Sequence, residues 1–334
     1  MSNVDLARHA AKINREKGVS RIDVDEYKII KLRLKKLNVK LNKPVAVGTN
    51  VDIYLVDELN EIYGRKNLCL KVFRFSKSIW GYKGAGGIST ITESTIAQNL
   101  LAIKGYCPRV YDLVEVEGKT AQVTDYLQGP EGRVVVNDSR FNYYVDDCAR
   151  DHNYIAGKLI DLQGTKLKNH LGYKKMVVDL AREQNRDHGH TDNIYQSTDY
   201  HPGFRDTKER IKRYNFKNFK GKIVVDLGCN LGMMCRHACD LGAKRVIGLD
   251  WPNTIKTSRE LAILDGYYNI DFYGFDLKTA SWEDIVKKIG FKKVDIFLFL
   301  AMETHMGRPE WLKKCDVLYY EGHGKKREFK VEHY

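Results

Sequence analysis

A buried strand that runs directly into a glycine turn and then into a helix is the feature that most constrains this chain. It is the stretch KIVVDLGCNLGMM, residues 222–234. The β-branched run at 223–225 is typical of a parallel strand buried on both faces. Gly228 and Gly232 then let the backbone approach a ligand closely. The spacing D-x-G-x-x-x-G matches neither a dinucleotide fingerprint nor a phosphate-binding loop that ends in Gly-Lys-Ser/Thr.

Further strands follow this turn at regular spacing. A second strand, AKRVIGLD, ends in Asp250, and a third, NIDFYGFDL, ends at Asp276. Two more apolar runs begin at Val294 and Asp316, and polar helical segments separate the five strands. This alternation predicts an α/β domain with a parallel sheet. In such nucleotide-binding units, the acid after the second strand takes the ribose hydroxyls.

These motifs resemble those of class I S-adenosylmethionine (SAM) methyltransferases, which have a Rossmann-like α/β fold. The resemblance implies that SAM is the cofactor and that the glycine turn admits its methionine end. It also implies that Asp276 meets the adenine amino group and that Trp251 is a candidate to stack on the adenine ring. The cofactor-binding residues that it implies are Asp226, Gly228, Asn230, Gly232, Asp250, Trp251, Asp276 and Leu277.

The segment before the glycine turn resembles the corresponding segment of a subset of class I enzymes that act on sugars, small molecules and wobble uridine. The shared pattern is G-x-R-x-T-x-x-R, here Gly203, Arg205, Thr207 and Arg210. A guanidinium holds a carboxylate through two parallel hydrogen bonds, so Arg205 is a candidate clamp on the cofactor's carboxylate or on an acidic substrate. The alternative is a surface helix N-terminus capped by Asp206.

Candidate catalytic residues follow the fourth and fifth strands, because ligands of open α/β sheets bind beyond the carboxyl ends of strands. His305 stands where several O-methyltransferases carry a histidine, which suits a base that removes the acceptor proton. Glu303, Glu321 and His323 are neighbours able to orient or replace it, and each alone is also compatible with a solvated loop residue. The sequence has no Asp-Pro-Pro-Tyr or Pro-Cys motif, which disfavours the usual amine and cytosine-C5 methyltransferases of nucleic acid.

The N-terminal half, residues 44–181, has its own organisation. Two strand-like runs flank a polar turn, with Gly48 in a short loop and Lys71 in the second run. A helical segment with Glu93 in its first turn and a hairpin centred on 117–119 follow. The order resembles the small lobe of protein kinases and of aminoglycoside or choline kinases. The resemblance implies an α+β domain and a site for ATP with Mg²⁺, in which the lysine grips phosphates and the glutamate holds it.

The large-lobe residues match this family less well. A helix predicted from 141 to 158 leads to Asp161, at the place of the catalytic-loop aspartate. Asp179 would close the strand MVV at the place of the metal-binding aspartate. However, His-Arg does not precede Asp161, and Lys166 stands where the family has a metal-binding asparagine. We therefore expect a weak or inactive kinase-like module, with an unrelated α+β domain as the alternative.

The domain boundaries predicted from these segments are 1–43 for a basic helical segment, 44–181 for the kinase-like module, 182–220 for a linker with the first methyltransferase helices, and 221–334 for the SAM-binding domain. The net charge of +13 and the pI near 9.2 indicate an anionic partner or surface. Residues 28–43 predict an amphipathic basic helix that contacts nucleic acid, anionic lipid or an acidic glycan, or else packs its apolar stripe on the next domain.

The remaining features concern compartment, metal and assembly. Short apolar stretches and the lack of a signal-peptide core predict a cytoplasmic protein. Seven cysteines indicate reduced thiols, and Cys229, Cys235 and Cys239 with His237 are interpreted as residues of the first helix, with no metal site. The fifth strand lies close to the end of the sequence. Its sheet edge is therefore expected to be open, covered by the N-terminal module or paired with another subunit in a homo-oligomer.

Two functional hypotheses follow. The first is SAM-dependent O-methylation of a polar or anionic acceptor such as a glycan, a sugar phosphate or another small molecule, by distant analogy to bifunctional kinase-methyltransferases that cap bacterial O-antigen. The second is an RNA-modifying methyltransferase whose N-terminal module binds nucleic acid or a protein partner. Under the first, methylation of an unphosphorylated acceptor requires ATP; under the second, binding weakens steeply with salt.

Overall fold

The computed structural model divides the chain into two compact units. The N-terminal unit comprises residues 1–173 with 263–268, and the C-terminal unit comprises residues 174–262 with 269–334. The predicted domain boundaries remain predictions. The structure describes residues 34–48, 51–74, 91–132, 136, 138–142, 154–160, 162, 165–187, 195–198, 203, 205–323 and 328–334.

A six-stranded sheet forms the N-terminal unit, in the order β1-β5-β6-β4-β3-β2. Strand β1 runs parallel to β5, and the other neighbours are antiparallel. Its strands are β1 (Leu34–Lys36), β2 (Ala46–Val47), β3 (Val51–Tyr54), β4 (Leu68–Phe73), β5 (Val110–Val116) and β6 (Lys119–Asp125). The polar turn predicted between two strands contains a short helix, α1 (Glu58–Tyr63), and a third strand lies before it.

The predicted hairpin and its preceding helix are confirmed. Glu117 and Gly118, both with positive φ, make the two-residue turn between β5 and β6, as right-handed strand twist favours. Helix α2 (Ile91–Ile103) lies between β4 and β5 in the chain and packs on the sheet. The Gln122 amide donates to Thr95 Oγ1 at 2.7 Å. Lys71 pairs with Gln122 across the ladder, so its side chain shares the sheet face that contacts α2.

The basic segment differs from its prediction. Residues 34–36 form strand β1, and residues 37–45 form neither helix nor strand. Leu37, Val39 and Leu41 pack against the core of the sheet, with exposed residues between them. Burial at every second residue is the pattern of an extended chain, whereas a helix would bury every third or fourth residue. The helix predicted over residues 28–43 is therefore wrong for its described part. Residues 28–33 lie outside the described residues.

Two further predictions in the N-terminal half are wrong for their described residues. The predicted helix over residues 141–158 has strand β7 (Phe141–Asn142) at one end and a small hairpin of β8 (Tyr154–Ile155) and β9 (Lys158–Leu159) at the other. Residues 143–153 lie outside the described residues. Strand β10 (Lys166–Leu167) pairs with β7. The supposed strand MVV lies within helix α3 (His170–Asp187).

Burial along α3 explains why MVV is helical. Lys174, Val177, Val178 and Ala181 are buried, which is the i, i+3, i+4, i+7 spacing of one helix face. Asp179 is therefore a mid-helix residue with no strand end beneath it, so it does not stand where a metal-binding aspartate of the kinase family would.

The C-terminal unit contains a second six-stranded sheet in the order β13-β12-β11-β14-β15-β16. The first five strands in this order are parallel, as predicted. They are β11 (Ile223–Leu227), β12 (Arg245–Asp250), β13 (Ile270–Gly274), β14 (Val294–Leu300) and β15 (Cys315–Glu321). Most of α3 belongs to this unit, and the α-helices after it in the described residues are α4 (Thr207–Tyr214), α5 (Met233–Asp240), α6 (Pro252–Leu264), α7 (Trp282–Ile289) and α8 (Glu303–Met306).

The strand order fixes where a ligand can bind. Successive strands after β11 are added on one side as β12 and β13, and then on the other side as β14 and β15, so the order reverses between β11 and β14. Ligands of open α/β sheets bind at this reversal, beyond the carboxyl ends of the strands. Trp282, Ile285 and Ile289 of α7 pack on one face of the sheet with buried residues of β11, β12, β14 and β15.

The edge of this sheet differs from the prediction. Strand β16 (Phe329–His333) pairs antiparallel with β15, so the fifth strand is not the edge. The alternating sequence FKVEH suits a half-exposed strand. Strand β16 is therefore the edge strand of this sheet in the described part of the chain.

Several global properties can be stated for the described residues. No helix there is long and apolar enough to cross a membrane. No group of three or more His, Cys, Asp and Glu side chains there is arranged to hold a metal. Cys229 and Cys235 are buried free thiols, whereas Cys239 is half-buried.

Candidate active site

The glycine turn lies between β11 and α5, at the carboxyl ends of the parallel strands. Gly228 and Gly232 both have φ of 75°. A Cβ on Gly228 would lie 2.1 Å from Met302 Sδ, and one on Gly232 would lie 2.8 Å from the Phe272 ring. Side chains are therefore excluded at both positions by conformation and by space. The turn forms the bare backbone cradle that a closely bound cofactor requires.

Asp250 stabilises this turn from the end of β12. Its Oδ2 accepts a hydrogen bond from the Asn230 backbone N–H at 2.6 Å, and its Oδ1 accepts one from the Trp251 N–H at 2.7 Å. Asn230 itself has φ of 48°, a left-handed conformation that asparagine tolerates. The carboxylate is thus held at the rim of the turn, where the predicted contact with ribose hydroxyls is geometrically reasonable.

Asp226 lies deeper than the other candidate ligands. It is buried near the end of β11, and Cys235 Sγ lies 3.4 Å from its Oδ2. Burial raises the pKa of Asp226 to about 7. Its buried position indicates that Asp226 supports the turn from the interior of the domain.

The adenine-side candidates follow the ends of β12 and β13. Trp251 is 50% exposed, so its indole face is available for stacking. Asp276 lies two residues beyond β13 and accepts a hydrogen bond from the Lys278 N–H at 3.0 Å, while Leu277 is buried. These residues follow strands that are parallel neighbours of β11, so they lie at the same carboxyl-end edge of the sheet as the glycine turn.

The segment before α4 is folded tightly onto itself. Asp206 caps α4 by accepting from the Lys208 and Glu209 N–H groups, so the predicted cap is confirmed. The Thr207 hydroxyl donates to the Ser197 carbonyl at 3.0 Å. A Cβ on Gly203 would lie 2.3 Å from the Ser197 nitrogen, so only glycine permits this approach.

Arg205 belongs to the same folded segment and is only 6% exposed, which an ordinary surface position would not be. Its backbone bridges to Gln196 in a short parallel pairing. Its guanidinium lies over the Tyr195 ring, 5.8 Å from the centroid. The clamp role of Arg205 stays a prediction.

Gln196 is a residue that the sequence did not point to. Its side chain is buried, its Nε2 donates to the Cys229 carbonyl at 3.1 Å, and its Oε1 accepts from the Met233 N–H at 3.3 Å. One amide therefore joins both sides of the glycine turn to the preceding segment. We infer that Gln196 is a positioning residue of the cofactor turn. Its signal in the sequence is weak, because a glutamine in a polar stretch has no characteristic spacing.

Glu321 does not stand free as a candidate base. It ends β15 fully buried, and its Oε2 accepts from Arg210 Nε at 3.0 Å and also from Arg210 Nη2. Burial lowers the pKa of Arg210, but the charge of Glu321 raises it by more, so this pKa lies above its ordinary value. The pair fixes α4 against the end of β15, so Glu321 is placed as a structural anchor.

Glu303, His305 and His323 lie together beyond β14 and β15. The Tyr320 hydroxyl donates to Glu303 Oε2, and this bond raises the pKa of Tyr320 to about 12. The rings of His305 and His323 are 5.8 Å apart and nearly perpendicular. Because Met302 contacts the glycine turn, this cluster is adjacent to the cofactor cradle.

The surroundings of His323 favour its neutral form. Burial lowers its pKa from the ordinary 6.5, and the charges of Arg205 and His305 lower it further. A neutral imidazole is a proton acceptor at neutral pH. His323 is consequently as suitable a base as His305, which the sequence favoured.

The kinase-like candidates lie on several elements of the N-terminal half. Lys71 is buried in β4, and its Nζ donates to the Ile160 carbonyl at 2.9 Å. Glu93 lies in the first turn of α2, and Gly48 makes the tight turn between β2 and β3, its N–H donating to the Val51 carbonyl at 2.8 Å. Asp161 lies outside the described residues.

Comparison with known sequences supports the methyltransferase fold. No family model matches the chain. It is 30% identical over 149 residues to protein arginine N-methyltransferase 1 of Saccharomyces cerevisiae, covering 40% of this chain and 41% of the relative. It is 53% identical over 84 residues to the enzyme of the same name from Dictyostelium discoideum, covering 25% and 23%. The C-terminal unit is a class I SAM-dependent methyltransferase domain. The chain spans less than half the length of these curated relatives.

Two solved structures are also similar to this chain. The Trypanosoma brucei PRMT1 enzyme-prozyme complex with AdoHcy is 24% identical, covers 28% of each chain and has a TM-score of 0.25. The bifunctional kinase-methyltransferase WbdD is 21% identical, covers 41% of this chain and 34% of its own, and has a TM-score of 0.31.

The cradle fits SAM. The two glycines keep Cβ atoms out of a turn that already contacts Met302 and Phe272, and Asp250 and Trp251 offer a hydrogen-bond acceptor and an aromatic face on the same rim. SAM supplies an electrophilic methyl group when bound. The chain must then hold the acceptor in line with that methyl group and take up the acceptor's proton.

Proposed function

We propose that the methyltransferase domain transfers the SAM methyl group to an oxygen of an anionic acceptor. The observation that carries this proposal is the pair of imidazoles beside the cofactor turn, with their rings 5.8 Å apart. Oxygen acceptors need a base, because a neutral hydroxyl is a weak nucleophile. His323 remains neutral near pH 7, since burial and the charge of Arg205 lower its pKa.

The charges around this pair favour an anionic acceptor. Arg205 acts on His323, and Arg308 lies over the Tyr320 ring at 5.0 Å from its centroid. Glu321 offsets the charge of Arg210 and Glu332 offsets that of Arg308, while Glu303 accepts a hydrogen bond from the neutral Tyr320 and keeps its own charge. An anionic acceptor would therefore depend on Arg205. A phosphate or carboxylate on the acceptor would be attracted to it, and the positive charge would also stabilise the developing oxyanion.

Replacement of His323 or His305 by alanine tests the base. We expect the responsible variant to lower turnover by about 10²-fold while the affinity for SAM is unchanged. The measurement is transfer of labelled methyl from SAM to a panel of sugar phosphates, arginine-rich peptides and RNA. Thr304→Ala, an exposed substitution in the same short helix, is the control. Full turnover in both histidine variants would contradict base catalysis by this pair.

The pH profile gives an independent readout. Neutral His323 is the active form, so turnover should fall as pH decreases through its folded pKa, which lies below 6.5. Removing the positive charge in Arg205→Gln should raise that pKa and shift the acid limb to higher pH. An acid limb that stays in place would argue against this electrostatic coupling.

A second candidate is N-methylation of an arginine side chain. Two relatives bear the name of protein arginine N-methyltransferase, and Glu303, next to Met302 at the cradle, is a carboxylate able to bind a guanidinium bidentately. The charge of Arg205, which acts on His323, favours an anionic acceptor instead. In the same assay, methylation of arginine peptides that is lost in Glu303→Gln but retained in both histidine variants would favour this candidate.

We also propose that the N-terminal unit is a degenerate kinase-like module that binds nucleotide without efficient phosphoryl transfer. The support is the order of β3, β4 with Lys71, α2 with Glu93, and the β5–β6 hairpin, together with Lys71 on the sheet face that contacts α2. Lys166 in β10 places a cation at the sequence position of a metal ligand. Phosphoryl transfer needs Mg²⁺ to neutralise phosphate charge, so weak catalysis is expected.

Titration calorimetry with ATP tests this module. We expect binding that does not depend on Mg²⁺, that weakens about tenfold or more in Lys71→Ala, and that is unchanged in the exposed variant Lys66→Ala. ATP hydrolysis should stay near background. Robust Mg²⁺-dependent hydrolysis that disappears in Lys71→Ala would show an active kinase, and the bifunctional hypothesis would then lead.

A further inference from the structure

Strand β16 ends the C-terminal sheet within the described part of the chain. The Tyr334 N–H donates to the Asp316 carbonyl at 3.0 Å, and the Gly322 N–H donates to the Glu328 carbonyl at 2.9 Å. Both contacts lie in the register of the β15–β16 ladder, so alternate residues from 328 to 334 bond to β15. The backbone groups of Phe329, Val331 and His333 consequently point away from β15.

The sequence of β16 is complementary to itself when reversed about its central residue. In an antiparallel pairing centred on Val331, Lys330 stands opposite Glu332 of the second copy, and Glu332 stands opposite Lys330. Phe329 stands opposite His333, and Val331 opposite itself. We infer that β16 of a second copy of this chain pairs antiparallel with this edge across a two-fold axis at Val331, joining two sheets into one.

The backbone pattern fits this arrangement. The three outward-facing residues would form three hydrogen-bonded pairs, each exchanging two bonds. The two Lys330–Glu332 pairs then fall at non-hydrogen-bonded positions, where opposed side chains are closest. Val331 is 43% exposed and would be covered by its own copy. A two-fold interface of this kind uses the same patch on both chains.

Existing ion pairs do not oppose the contact. Lys330 Nζ lies 2.9 Å from Glu328, and Glu332 Oε2 takes Arg308 and the Tyr334 hydroxyl; Lys330 and Glu328 are largely solvated, whereas Glu332 is half-buried. Surface pairs contribute little, and a carboxylate accepts several donors, so Glu332 can serve Arg308 and a second lysine together. A lysine on an edge strand normally discourages pairing. Here Glu332 of the second copy would stand opposite Lys330 and neutralise its charge.

Charge reversal tests the register. Wild-type chain should sediment as a dimer at high concentration, whereas Lys330→Glu and Glu332→Lys each bring like charges face to face and should raise the dissociation constant about tenfold or more. Mixing the two single variants should restore dimers, because each mixed pair regains two attractive contacts. The double variant should also dimerise. Lys288→Glu, an exposed reversal on α7, is the control and should not change the mass.

Amide hydrogen exchange measured residue by residue gives a second readout. Lys330 and Glu332 amides are bonded to β15 in any state, whereas Val331 and His333 amides should become protected only as the dimer forms. A wild-type chain that is monomeric at the highest attainable concentration would overturn the inference. So would a dimer that both single variants leave intact, since it would use another surface.

Discussion

Glu321→Ala is expected to lower the free energy of unfolding of the methyltransferase domain by about 3–5 kcal/mol, the cost of leaving a buried partner charge uncompensated. Arg210 cannot lose its charge in this variant, because a guanidinium stays protonated in proteins. Replacing both members with Arg210→Met and Glu321→Leu should recover most of the loss, since apolar side chains of similar size suit the same space. Urea unfolding followed by tryptophan fluorescence measures this, because Trp251, Trp282 and Trp311 belong to this domain.

A control for this measurement lies on the same helix. Arg213 and Glu209 form an exposed pair one turn along α4, so Glu209→Ala should change stability by less than about 1 kcal/mol. An unfolding midpoint in Glu321→Ala equal to that of the wild type would contradict the anchor role. If turnover alone were lost in that case, the carboxylate would act in catalysis, as the sequence suggested.

Asp250→Ala should weaken SAM binding by about 10- to 100-fold. The ribose hydroxyls would lose a charge-assisted hydrogen bond worth about 1.5–3 kcal/mol. The Asn230 and Trp251 N–H groups would also lose the acceptor that holds the turn in shape. Titration calorimetry with SAM and with its demethylated product measures the effect.

The amide variant Asp250→Asn separates these two contributions. It keeps an oxygen for the turn but removes the charge, so its affinity for SAM should fall between those of the wild type and the alanine variant. Glu283→Ala, which removes an exposed acid from α7, should leave binding unchanged. Equal affinities for all four proteins would exclude Asp250 as a cofactor ligand.

The C-terminal sheet was predictable because its strands are local signals. Continuous apolar runs such as 223–225 and 296–300 suit only burial on both faces, and acids that follow the first strands mark the ligand edge. The basic segment was not predictable in the same way. Ile30, Leu34, Leu37 and Leu41 fit a helix, but Leu37, Val39 and Leu41 pack on the core of the sheet, and only contact with the core decides between the two periods.

Residue roles that depend on partners distant in the sequence could not be predicted from the sequence alone. Glu321 ends a strand two residues before a histidine, which suggests chemistry, but its partner Arg210 is 111 residues away in the sequence. Gln196 contacts a turn more than thirty residues later. In both cases the residue type was visible from the sequence, whereas its neighbours were set by tertiary packing.

The two hydrogen bonds that Gln196 makes to the glycine turn also limit where the chain can be truncated. A fragment beginning at residue 221, where the motif-based boundary falls, would keep every strand and both glycines of the cradle. It would lose the amide that holds the Cys229 carbonyl and the Met233 N–H, and also the arginine that neutralises Glu321. The smallest autonomous methyltransferase fragment therefore starts upstream of residue 195, and a shorter excised piece would carry an unsupported cradle and a stranded buried charge.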